Sequence, residues 1–126
     1  MLYAILCYND EDAVMAWSQA EDDAVMEKLE VVHDRLRSQG KLGPALRLMP
    51  TSAATTLVKA KNLILDGPYA ETKEALLGLY IVDVENLEEA HRIARDLGVA
   101  NPGGAYELRP LRLYQQNADL SGRSAT

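Results

Sequence analysis

With 126 residues, 48% of them apolar, the chain has the length and content for one domain with its own core, and a formal net charge of −6 removes the electrostatic attraction behind nonspecific nucleic-acid binding. A single cysteine, Cys7, excludes an internal disulfide and suits a reducing compartment; no apolar run approaches the roughly 18 residues needed to span a membrane. Without the basic and apolar blocks of a secretory signal, the chain is expected to be soluble and cytoplasmic, with no contact to DNA or membrane.

Met1 to Tyr8 reads as a first buried strand, ended by Asn9-Asp10-Glu11-Asp12. Ser18 and Glu21 have the spacing of a capping box, and Val25, Leu29, Val32 and Leu36 follow as one apolar stripe, so a helix is predicted to start at Ser18 and stop at Gly40. Gly43-Pro44 breaks the pattern before a predicted edge strand at Ala45 to Met49. Ala54 to Ala60 and Leu63 to Leu65 flank Lys61-Asn62 and predict a hairpin with a two-residue turn. Leu76 to Val84 is almost continuously apolar, as in a central strand covered on both faces. Asn86 caps a second helix whose face carries Leu87, Ala90, Ile93, Ala94 and Leu97, with Gly98 at its end. Tyr106 and Leu108 alternate in a last strand, and Pro110 marks a bulge or a change of face. One domain over residues 1–114 is expected, with a polar, frayed tail over 115–126. The order of elements predicts a ferredoxin-like α+β sandwich, an antiparallel sheet with both helices on one face. Since the other face would stand uncovered in a monomer, a second copy of the chain is its simplest cover.

Chemistry-bearing residues are few. His33 follows Leu29 by four positions and so borders the buried stripe; it reads as a boundary histidine with one satisfied nitrogen or as a general acid or base. Asp66 precedes Gly67-Pro68 directly after Leu63-Ile64-Leu65, which places a carboxylate at a strand end, either bracing its own turn or facing a cleft. Should Asp66 approach His33, it would fix the tautomer and stabilise the imidazolium. Glu71 and Thr72, with Lys73 and Glu74, belong to the same loop, and Tyr69 and Tyr80 wall an apolar pocket or simply pack. His91, beside Arg92 and Arg95, reads as solvated. No zinc-like Cys/His spacing, HExxH, EF-hand loop, GxSxG, GxGxxG or P-loop occurs, so neither metal nor cofactor is expected.

The stretch from Asp66 to Glu74, with Leu77-Gly78-Leu79-Tyr80 after it, resembles the signature of the YCII-related proteins, DGPF subgroup. The likeness extends to Tyr3 through Tyr8, His33-Asp34-Arg35-Leu36 with Gly40, Ala54-Thr55-Thr56 and Glu107-Leu108-Arg109-Pro110, while Tyr69 stands where the subgroup usually has phenylalanine. It implies a dimeric α+β barrel and two competing functions. One is a cofactor-free enzyme in which His33 and Asp66 transfer a proton on a small molecule, with Tyr69, Glu71, Thr72 and Tyr80 around the ligand. The other is a noncatalytic regulatory module that works beside an extracytoplasmic-function sigma factor in transcription initiation.

Overall fold

The computed structural model describes residues 1–120. The chain runs through β1 (Leu2–Asn9), α1 (Glu11–Met15), α2 (Gln19–Ser38), β2 (Leu42–Arg47), β3 (Thr55–Val58), β4 (Leu63–Asp66), β5 (Ala75–Asp83), α3 (Leu87–Ala100) and β6 (Ala105–Pro110). Four strands form one antiparallel sheet in the order β2-β5-β1-β6, while β3 and β4 pair only with each other. With α2 and α3 as the crossovers, this is the ferredoxin-like α+β arrangement that the order of elements predicted.

Alternation along β1 and β5 turns Tyr3, Ile5, Tyr80 and Val82 toward the helices, where they meet Leu29 and Leu36 of α2 and Ala90, Ile93 and Leu97 of α3. The opposite face carries a cross-strand row of leucines: Leu79 of β5 lies opposite Leu6 of β1 and Leu46 of β2. Leu46 remains 46% exposed, and among the described residues none of the three leucines belongs to the core that the helices bury.

The helix starts are where the side chains put them. Ser18 Oγ accepts from the Glu21 amide at 3.1 Å while Glu21 accepts from the Ser18 amide at 3.2 Å, and Gly40 takes the left-handed φ of +68° just beyond α2. Several boundaries differ from expectation. Asp10 caps a short helix, α1, that the sequence reading treated as a strand end. Strand β2 begins before Gly43-Pro44 and absorbs that pair as a register shift between Leu42 and Ala45. The β3–β4 connection is longer than two residues: a 3₁₀ turn at Lys59–Lys61 is followed by Asn62 in the left-handed region, φ +48°. Helix α3 runs through Gly98 to Ala100, and β6 keeps its register as far as Pro110 opposite Tyr3. Residues 115–120 have no regular structure; the rest of the expected tail, 121–126, lies outside the described residues. No described helix is long and apolar enough to cross a membrane.

Candidate functional site

Leu29, His33 and Leu36 recur at i, i+4 and i+7, so the packing that buries the two leucines carries the imidazole into the same interface. His33 is 7% exposed. Tyr80, on the helix-facing side of β5, meets it edge-on, with ring centroids 5.2 Å apart at 62° and the hydroxyl 3.1 Å from Nε2. One turn back on α2, Glu30 Oε2 lies 3.4 Å from Nδ1.

These contacts fix the tautomer. Arg37 donates to Glu30 Oε1 at 2.6 Å, and this bond, with a smaller share from His33, holds the Glu30 carboxyl below its ordinary range. An ionised carboxylate only accepts, so Nδ1 carries a proton, and when the ring is neutral Nε2 presents a lone pair to which the Tyr80 hydroxyl donates. Burial, reinforced by Tyr106, Cys7 and Glu30, pushes the Tyr80 phenol strongly upward, which keeps it a donor.

Both residues line a cavity of about 300 Å³. Helix α2 gives it an apolar wall of Val25, Met26 and Leu29, Val14 and Trp17 close one side, and Arg47 of β2 stands at another. Its floor crosses three adjacent strands, from Tyr80 through Cys7 to Tyr106. Burial raises the Cys7 thiol to about 11 and the Tyr106 phenol in the same direction, so the floor is a row of neutral hydroxyl and thiol groups. At the far end Asn101 Nδ2 donates to the Tyr106 hydroxyl at 3.5 Å, and its Oδ1 is buried without a partner among the described residues.

Of the residues singled out from sequence, the structure brings His33 and Tyr80 together in this cavity. Asp66 ends β4, exposed, outside the residues that line it. The hydrogen bonds that tie its turn to the neighbouring strand run through Gly67, whose amide donates to Ala54 O at 2.7 Å and whose carbonyl accepts from Thr56 Oγ1 at 2.9 Å. Tyr69 is 89% exposed, and Glu71 and Thr72 are exposed beside it, with Thr72 Oγ1 donating to Glu74 O at 2.5 Å. Their shared loop lies outside the cavity too. His91 is exposed on α3. Sequence reasoning missed Glu30, Arg47 and Tyr106. Glu30 had a signal, since it stands one turn before His33 on the same helix; the other two acquire meaning only from the sheet register.

The family model of the YCII-related domain matches residues 1–115. A protein of Rhizobium meliloti (strain 1021), described as uncharacterised, is 53% identical to this chain over 118 residues, 91% of this chain and 95% of that relative. With a match of this extent and a relative this similar along nearly its whole length, the chain belongs to the YCII-related family.

Proposed function

We propose that the cavity is a small-molecule site in which His33 and Tyr80 transfer a proton on a bound substrate without a cofactor. One observation carries the reading: a buried imidazole, oriented through Nδ1 by a carboxylate, offers Nε2 to a phenol at 3.1 Å on the wall of a largely apolar cavity. When a substrate C–H or O–H takes the place of the Tyr80 hydroxyl at Nε2, the ring accepts that proton, and the freed phenol donates to the substrate oxygen on which charge gathers. Glu30 then offsets the imidazolium, the part expected of Asp66. Isomerisation, elimination and hydrolysis all contain such a step.

A panel of small carbonyl compounds tests the reading. Any turnover should fall about 10²- to 10⁴-fold in His33→Gln, with the fold intact by circular dichroism, and fall less in Tyr80→Phe. Turnover untouched by His33→Gln, or imidazole resonances that no panel member moves, would overturn it. The noncatalytic alternative, contact with a basic region of a sigma factor, is supported by the net charge of −6 and by no comparable group of side chains. We further propose that two copies associate through the leucine row of the uncovered sheet face, closing a dimeric α+β barrel.

A further inference from the structure

The charges that line the cavity run against those of the chain. The chain carries −6, yet the lining holds Arg37 and Arg47 against a single carboxylate, Asp22. Arg37 is already engaged, donating at 2.6 Å to Glu30 and at 2.7 Å to Asp34. Among the described residues Arg47 is held by one oxygen, Nη2 to Asp22 Oδ1 at 3.2 Å, while Nη1 faces only the Met26 sulfur at 3.9 Å, a weak acceptor. A guanidinium has a forked donor edge built for a carboxylate, so Arg47 can keep Asp22 on one side and bind a second acid on the other. Its side chain is 56% exposed and that of Asp22 29%, so Arg47 is reachable from solvent.

Resting on the proton-transfer reading above, we propose that the substrate is a small organic acid whose carboxylate is bound by Arg47. Its apolar body lies against Val25, Met26 and Leu29, and its reacting end reaches His33 and Tyr80. The lengths agree. Met26, which touches Arg47, precedes His33 by seven residues on α2, about 10 Å along the helix axis. That is the span of a carboxylate, a ring or short chain, and a carbonyl.

Phenylacetate and 2-phenylethanol, alike in size and apolar body, serve as probes, titrated into the full chain while the His33 and Trp17 ring resonances are followed by NMR. Phenylacetate should bind about tenfold or more tightly than the alcohol, as expected for a charged hydrogen-bonded pair. Arg47→Met should remove most of that preference and leave the alcohol within about twofold of its original affinity, and Arg47→Lys should keep part of it. Equal affinity of the two probes in the unaltered protein, or an equal loss of both in Arg47→Met, overturns the acid assignment while the proton-transfer site stands. Binding of neither probe, with the His33 resonances unmoved, overturns both.

Discussion

Cys7 lies on the cavity floor, where a nucleophile would be useful, yet desolvation lifts its thiol from an ordinary 9.0 to about 11. Two units cut the thiolate fraction at pH 8 about a hundredfold. Alkylation by iodoacetamide at pH 8 should therefore run about a hundredfold slower than for a free thiol and accelerate toward pH 11; a rate equal to that of free cysteine would show an open, electropositive setting instead. The same shift acts on stability. A folded-state value above the unfolded one contributes stability that is complete below pH 9 and lost as pH rises through about 11, and the raised phenols of Tyr80 and Tyr106 act in the same direction at higher pH. His33 was legible in the sequence because helical spacing decides which face a residue takes. Asp66 was legible as a strand end, but its place depends on which sheet its strand joins, and β4 pairs with β3 apart from the sheet that holds the cavity. No local pattern specifies that choice.

Glycine decides how closely β2 approaches β5. A Cβ on Gly78 would press into the Leu46 carbonyl, part of a backbone already committed to the sheet, so the strands sit where only a hydrogen side chain fits. Gly78→Ala should push β2 outward and cost about 1–3 kcal/mol by chemical denaturation. An unchanged midpoint would mean that β2 yields freely. Since β2 also brings Arg47 to Asp22, the same substitution reaches the cavity. Both long helices were readable from caps and stripes, because those signals lie within a few residues of one another. The short helix α1 was not, since its five residues form on the Asp10 cap with no buried position of their own. The start of β2 was missed for a related reason: Gly43-Pro44 looks like a break until a register shift accommodates it.

At the scale of the molecule, the helices bury one sheet face and leave Leu46, Leu79 and Leu6 in line on the other. The ferredoxin-like order was legible because the alternation of strand and helix patterns survives errors of a few residues at each end. What covers the second face was not, since continuous apolarity in a strand says that both sides want cover and leaves the covering group open. Light scattering of the purified chain should give the mass of a dimer, and Leu79→Glu, a charge at the centre of that row, should shift it to the monomer without loss of helix content. A monomer before substitution would refute the dimer. The lateral margins of the sheet bear on the same question. Outermost β2 is bent by its slip at Gly43-Pro44, and outermost β6 ends on Pro110 after Arg109 and Glu107. Kinked or proline-blocked rims are poor templates for a neighbouring chain, so fibril-like stacking along the hydrogen-bonding direction of this four-stranded sheet is disfavoured at both of its margins.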